Sequence, residues 1–117
     1  MITIYYRKHS KKSKNTIEWF NQHNLSVNVL NIKKISEEEI FQLIYLSNLD
    51  IADILRKNKL LFFFNAQKKK ANKLRFSESL AYLEKKSYLI QDPVIISTDI
   101  SLLGYEKDKL EQYFNNF

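Results

Sequence analysis

The spacing of apolar residues near the N-terminus predicts two strands separated by one helix. Residues 2–6 are β-branched or aromatic, which is typical of a buried strand, and residues 26–32 alternate between apolar and polar side chains as a half-buried strand does. Between them, residues 14–23 place apolar side chains on one face of a helix, with Ser13 as its N-cap. Because a helix separates the two strands, we expect a βαβ unit with parallel strands.

The middle of the chain has the residue spacing of helices. Ser36 is followed by three glutamates, which is a capping-box start, and we expect this helix to end near Leu46 with Tyr45 among its buried residues. Three further segments are expected to be helical: a short helix capped by Ser47 or Asp50, residues 60–64, and a helix that begins at Ser77. For residues 60–64 the alternative is a buried turn.

The C-terminal part of the chain predicts a hairpin and a last helix. Pro93 opens a strand at its first position, where a missing N–H donor costs least, residues 101–105 form the partner strand, and residues 106–114 are helical. The complete order is β-α-β, a helical insertion and β-β-α, which is the order of an α/β thioredoxin-like fold with a mixed four-stranded sheet. We expect a single domain over residues 1–117, with a thioredoxin-like core at 1–34 and 88–117 and a helical lobe at 35–87.

The charges are segregated along the chain, whose formal net charge is +6. Residues 7–14 contain five Lys or Arg residues and no acid, residues 56–75 contain eight and no acid, and residues 35–55 contain five acids and no base. This segregation favours a surface that meets an acidic partner such as nucleic acid. The alternative is a genome rich in A and T, which enriches lysine regardless of function. The candidate anion or nucleic-acid patch comprises Arg7, Lys11, Lys68, Lys69, Lys70, Lys73 and Arg75.

The composition limits which reactions and metal sites the chain can support. The chain contains no cysteine, which excludes disulfides and thiolate chemistry, and its two histidines, His9 and His23, lie near no second candidate ligand. We therefore predict no metal site and no cofactor. No apolar run approaches the roughly 20 residues that cross a bilayer, and the chain begins directly with a strand, so we expect a cytoplasmic protein with no membrane partner.

Several short motifs, in order and at similar spacing, resemble the Spx and arsenate reductase-like branch of the thioredoxin superfamily. The resemblance is closer to Spx, a transcriptional regulator of low-GC Gram-positive bacteria. The matching residues are Thr3-Ile4-Tyr5 in the first strand, Ser10-x-x-Ser13 in place of a Cys-x-x-Cys pair, Trp19 and His23 in the first helix, Asn31-Ile32, Leu89-Ile90-x-x-Pro93-Val-Ile-Ile, and Leu103-Gly104-Tyr105.

The resemblance implies a cis Pro93 that faces the site, and the departures from it bear on function. Ser10 and Ser13 replace the redox cysteines, and Asp92 replaces an arginine that binds the oxyanion in arsenate reductases. A serine hydroxyl does not ionise near neutral pH, and His9 is the only candidate base for Ser10, so we favour a capping or loop role for Ser10 and predict no enzyme activity. The serines are either native or engineered from cysteine. Asp92 favours native serines, because the arginine that the family has at this position is also absent.

The resemblance also implies a partner, because Spx contacts the C-terminal domain of the RNA polymerase alpha subunit. The positions that correspond to its contact region are Ser47, Asp50, Arg56, Lys57 and Lys59, with Asp50 near a glycine of the family, a change expected to weaken binding. We expect a redox-inactive Spx-like regulator that binds polymerase, with promoter DNA as part of that complex. The alternative is a degenerate paralogue whose basic lobe binds DNA directly or another protein. Monomer and dimer both fit the sequence.

Overall fold

The computed structural model describes residues 1–56 and 75–114. The strands are β1 (Ile2–Tyr6), β2 (Val27–Asn31), β3 (Val94–Ile96) and β4 (Ser101–Leu103), and the helices are α1 (Lys11–Gln22), α2 (Glu37–Ser47), α3 (Ile51–Ile54), α4 (Phe76–Lys85) and α5 (Lys107–Phe114). Short 3-10 turns at Ile32–Lys34 and Ser87–Leu89 complete the described elements. No helix in these two ranges is long and apolar enough to cross a membrane.

The four strands form one mixed sheet in the order β2-β1-β3-β4. β1 pairs with β2 in parallel and with β3 antiparallel, and β3 pairs antiparallel with β4. The α/β thioredoxin-like fold, its mixed four-stranded sheet and its helical insertion are therefore confirmed. The division of the chain into one domain with a core and a helical lobe stays a prediction.

Apolar side chains pack on both faces of the sheet. Successive residues of a strand point to opposite faces, so Ile4 packs with Phe20 of α1 and Leu110 of α5, while Tyr5 belongs to the cluster that contains Leu43 of α2 and Leu83 of α4. The sheet is thus covered by helices on both sides. Its central strands β1 and β3 are the most buried, which fixes the positions of the residues that follow β1 and precede β3.

Three local expectations differ from the structure. α1 begins at Lys11 with Ser10 as its N-cap, so the predicted cap at Ser13 is wrong: the Ser10 side chain accepts a hydrogen bond from the Ser13 N–H at 3.3 Å, and Ser13 itself is 2% exposed. Tyr45 is 73% exposed, because it lies one turn after the exposed Phe41, outside the stripe that α2 buries. α4 begins at Phe76, one residue before the predicted start. The segment 60–64, predicted to be a helix or a buried turn, lies outside the described residues.

A hydrogen-bond network links β1 to the start of α2. The predicted capping box is present, because Ser36 and Glu39 each bond the other's backbone N–H. The Tyr5 hydroxyl also donates to both oxygens of the Glu39 carboxylate, at 2.5 and 2.6 Å. Burial, followed by the hydrogen bond and the charge of Glu39, raises the pKa of Tyr5 well above its usual range. Tyr5 therefore stays protonated and holds the N-terminus of α2 against the sheet.

Replacing Tyr5 by Phe removes this link without removing the ring. Because the lost hydrogen bonds reach a charged acceptor, we expect Y5F to lower the free energy of unfolding by about 2 kcal/mol. Urea denaturation followed by circular dichroism measures the change. Y113F is the matched control, because Tyr113 is 40% exposed. Equal stabilities of Y5F and Y113F would contradict the assignment.

Candidate functional site

The site forms where the ends of β1 and α1 meet the segment before β3. The antiparallel register pairs Tyr5 with Val94, and continuing it by two residues places Arg7 opposite Asp92. The Asp92–Pro93 peptide bond is cis, and Pro93 is buried. Ser10 and Ser13 reach the same place from the first turn of α1. Residues that are distant in sequence are thus brought together by strand pairing.

The Asp92 carboxylate is the centre of this cluster. The Ser13 hydroxyl donates to its Oδ2 atom at 2.6 Å, and the Arg7 Nε–H donates to its Oδ1 atom at 3.0 Å. The side chains of Arg7 and Asp92 are only 18% and 11% exposed. Both carboxylate oxygens are therefore bound by the protein itself. We call Arg7, Ser10, Ser13 and Asp92 the carboxylate cluster.

Further hydrogen bonds hold the donors of the cluster in place. The Arg7 backbone N–H donates to the Ser13 Oγ atom at 3.1 Å, and the Arg7 guanidinium also donates to the Ile90 carbonyl. Ser13 thus accepts one hydrogen bond and donates another, which fixes the orientation of its hydroxyl. The guanidinium bridges the carboxylate and the backbone two residues before it.

The cluster keeps Asp92 ionised. Burial acts to raise the pKa of Asp92, but hydrogen bonds from Ser10 and Ser13, together with the hydrogen bond and charge of Arg7, outweigh it and lower that pKa below its usual range. The Ser10 oxygen also accepts the Ser13 N–H, so this side chain caps α1. A carboxylate with a lowered pKa is a weak base, so Asp92 is poorly suited to activating either serine as a nucleophile.

Arg56 approaches the cluster from the end of α3. A β-bridge joins Leu55 to Ile90, and the Arg56 backbone N–H donates to the Leu89 carbonyl at 2.7 Å. Burial and the positive charge of Arg7 lower the pKa of Arg56, while Asp92 opposes this shift. Arg7 pairs with Asp92 directly, whereas the charge of Arg56 interacts with both without a hydrogen bond to the carboxylate. Sequence patterns missed this proximity, because it depends on the pairing of segments far apart in the chain.

The other residues predicted for partner binding are not gathered at one point. The Ser47 hydroxyl donates to the Ser101 carbonyl at 2.6 Å, beside a groove of about 630 Å³ between the end of α2 and strand β4. Asp50 is the N-cap of α3, and its N–H donates to the Asp53 carboxylate at 2.9 Å. Arg56 lies instead at the carboxylate cluster. Lys57 and Lys59 lie outside the described residues.

The candidate anion patch is also divided. Arg7 pairs with Asp92 and is 18% exposed, and its place in the patch stays a prediction. Lys11 is exposed, and Arg75 is 89% exposed with Glu78 at 3.8 Å. The remaining members, Lys68, Lys69, Lys70 and Lys73, lie outside the described residues.

The described residues show no alternative catalytic set. His9 is exposed and has a positive φ of 65°, and Ser13 is only 2% exposed, so a substrate does not reach its hydroxyl. Within residues 1–56 and 75–114, no group of three His, Asp, Glu or Cys residues could hold a metal ion. The geometry provides donors for an anion but neither a thiol nor an activated hydroxyl.

Solved structures of known proteins share this fold. The chain superposes on a Staphylococcus aureus protein solved by solution NMR, with TM-score 0.79 and 19% identity over 97% of this chain and 98% of that one. It also superposes on an ArsC family related protein from Bacteroides fragilis, with TM-score 0.80 and 16% identity over 95% of each chain. An arsenate reductase from Vibrio cholerae gives TM-score 0.73 and 18% identity over 99% and 97%.

These similarities, at identities below one fifth, establish the fold. The resemblance to arsenate reductase-related, thioredoxin-like proteins is therefore confirmed at the level of structure. No protein-family model and no curated protein matches the sequence. The cysteine-free chain thus has the architecture of proteins that include an arsenate reductase, without any thiol for thiol-based reduction.

The lowered pKa of Asp92 predicts how acid affects stability. Its stabilising contribution is complete above the unfolded-state pKa of about 3.9 and is lost as pH falls through the lower folded-state value. We expect Asp92→Asn to lower the free energy of unfolding by about 1–3 kcal/mol at pH 7. The gap between wild type and variant should stay constant down to about pH 5 and close in stronger acid.

Thermal unfolding of both proteins across this pH range measures the gap. Asp99→Asn is the control, because Asp99 is an exposed acid in the turn between β3 and β4. A gap between wild type and Asp92→Asn that is absent at pH 7, or that widens in acid, would contradict the ion-pair account.

Proposed function

We propose that this chain is a redox-inactive, Spx-like regulator that acts in the cytoplasm by binding the C-terminal domain of the RNA polymerase alpha subunit. The observation that carries the proposal is the carboxylate cluster. Of the serines in the positions of the redox pair, Ser13 bonds Asp92 and Ser10 caps α1, so the part of the fold that performs chemistry in thiol proteins is filled and inert. A fold kept without its chemistry is suited to a binding role.

The groove between α2 and β4 supports a binding role at the predicted contact region. Its lining combines apolar and polar side chains, among them Ser47, Leu49, Asp53, Gln91, Leu102 and Tyr113. The backbone beneath the groove is held firmly, because the Gln91 side chain donates to the carbonyls of Asp53 and Leu55 at 2.9 Å. A partner can therefore bind here without first ordering the chain that contacts it, which lowers the entropic cost of association.

A substitution of Asp50 tests the proposed partner binding most directly. It is exposed at the N-cap of α3, where the resemblance places a glycine. Glycine is tolerated at N-caps, with a loss of only a few tenths of a kcal/mol relative to the polar caps, so Asp50→Gly should leave α3 intact. The substitution therefore separates a change in binding from a change in folding.

The decisive experiment is an NMR titration of the labelled chain with the isolated polymerase alpha C-terminal domain. We expect saturable shifts at residues 47–56 and along the groove lining at Gln91, Leu102 and Tyr113, and several-fold tighter binding by Asp50→Gly. Glu18→Gln, which removes an exposed acid of α1 outside this groove, should bind as the wild type does. Absence of saturable shifts with wild type and with Asp50→Gly alike would overturn the proposed partner.

A second candidate function is direct binding of nucleic acid, and it is favoured by exposed lysines at the start of α1. Lys8, Lys11, Lys12 and Lys14 are all exposed, and the first turn of α1 contains no acid. Such a surface contacts phosphates without reading base sequence.

Binding to a short duplex DNA tests this candidate. If nucleic acid is the partner, log K should fall linearly with log salt, and Lys11→Gln with Lys14→Gln should reduce the slope by about 2. Fluorescence anisotropy at several salt concentrations measures it. A slope near zero, or one unchanged in the double variant, would exclude the α1 lysines as a DNA site.

A further inference from the structure

Strand β4 lies at one edge of the sheet, which has the order β2-β1-β3-β4. The Ser97 N–H donates to the Ile100 carbonyl at one end of the β3–β4 ladder, and the Gly104 N–H donates to the Pro93 carbonyl at the other. Opposed residues of an antiparallel pair alternate between bonded and non-bonded positions. Counted from either end, Leu102 is the bonded residue within β4, so the backbone groups of its two neighbours point away from β3.

The outer edge of β4 therefore presents the backbone groups of Ser101 and Leu103. The Ser101 carbonyl accepts a hydrogen bond from the Ser47 hydroxyl at 2.6 Å, as its outward direction requires. Within residues 1–56 and 75–114, the structure shows no hydrogen bond to the Ser101 N–H or to either backbone group of Leu103. The Ser101 hydroxyl is also buried without a partner in this part of the chain. Unpaired backbone groups at a sheet edge are a template for another strand.

The groove of about 630 Å³ beside Ser47 runs along this edge. Ser101, Leu102 and Leu103 all line it, although neighbouring side chains of a strand point to opposite faces of a sheet. The groove therefore follows the edge of the strand and not one face of the sheet. Its walls come from α2 and α3 on one face and from α5 on the other. An extended segment that enters the groove lies with its backbone beside β4.

The groove is acidic, although the chain has a formal net charge of +6. Three carboxylates line it against one ammonium, and Lys109 is already paired with Glu106 at 3.2 Å. The other two acids, Asp53 and Asp99, are exposed. Charge complementarity therefore favours an occupant with basic side chains, and the apolar part of the lining favours apolar side chains between them. This apolar part comprises Leu46, Leu49, Ile100, Leu102, Leu103 and Tyr113.

We propose that the groove is a strand-addition site, in which an extended segment of a partner protein with alternating apolar and basic side chains pairs with the edge of β4. Backbone hydrogen bonds to Ser101 and Leu103 provide the pairing, and the acids of the groove favour basic segments. Because β4 has only three residues, the segment is short and its binding is weak. The inference rests on the binding role proposed above for this groove, but not on the polymerase domain as the partner.

The probe is a capped synthetic peptide of alternating valine and lysine, about seven residues long, which is within the usual length of a strand. In an NMR titration of the labelled chain, we expect saturable shifts of the Ser101 and Leu103 amides with a Kd of about 0.1–1 mM. Hydrogen exchange of the Leu103 amide should slow, whereas that of Leu102, which is already bonded to β3, should not change. A peptide of alternating valine and glutamate should not bind, and neither should the valine–lysine peptide with methylated backbone nitrogens.

Substitutions in the groove test the backbone and the charge separately. Leu103→Pro removes the outward N–H without removing a bond to β3, a position at which edge strands tolerate proline, and it should weaken peptide binding at least about fivefold. Leu103→Ala is the matched control, because it loses the side chain but keeps the N–H, and it should retain most of the affinity. Asp99→Asn should weaken binding by about two- to fivefold, whereas Glu18→Gln should not weaken it.

The wild-type chain with the methylated peptide keeps the test decisive if Leu103→Pro does not fold. Equal binding of the methylated or the glutamate peptide, or no saturable shift with the valine–lysine peptide, would overturn the proposal. Shifts of the same amides with protein concentration alone would assign the groove to a second copy of the chain and would also overturn it. The two proposals fail separately: saturable shifts from the polymerase domain without peptide binding contradict strand addition alone, and the reverse contradicts only the polymerase partner.

Discussion

The bonds around the Asp92 carboxylate are the interaction on which the site depends. Arg7 and Asp92 are both largely withdrawn from water, so either one alone would be a costly unpaired charge. Together with Ser13 they join the end of β1, the start of α1 and the segment before β3. The conformation of Arg7 is fixed because its guanidinium donates to two acceptors, the Asp92 carboxylate and the Ile90 carbonyl.

The same interaction decides what the fold can do. A thiol protein uses a helix N-terminus to stabilise a thiolate, but here the helix N-terminus and its neighbouring cations stabilise Asp92. The Ser13 hydroxyl donates to Asp92, Ser10 caps α1, and the ionised Asp92 is a weak base. Within residues 1–56 and 75–114, the groove beside Ser47 and the exposed lysines of α1 are surfaces available for binding. Binding is therefore the activity that this geometry supports best.

Much of the fold could be predicted from local sequence, whereas Ser10, Ser13, Asp92 and Pro93 were indicated by the family resemblance and their contacts only by the structure. The β-branched run at β1 and the capping box at Ser36 are local signals, because the residues that form each are neighbours in the chain. Ser10 and Ser13 are equally good caps by residue type, so choosing between them required the buried partner of Ser13. Tyr45 was misplaced because its apolar ring suggested burial, whereas the sheet is covered by another stripe of α2. The pairing of Arg7 with Asp92 required the β1–β3 register, which no local pattern encodes.

The central claim is that Asp92 is an ionised carboxylate held by Arg7 and Ser13, and the titration of that carboxyl group tests it most directly. The side-chain carboxyl carbon of Asp92, followed by NMR as a function of pH, reports its protonation in the folded protein. The account predicts a midpoint clearly below the usual value of about 3.9, rising toward or above it when Arg7 is replaced by Gln. A wild-type midpoint at or above about 3.9 would show that burial outweighs the donors, and it would contradict the account.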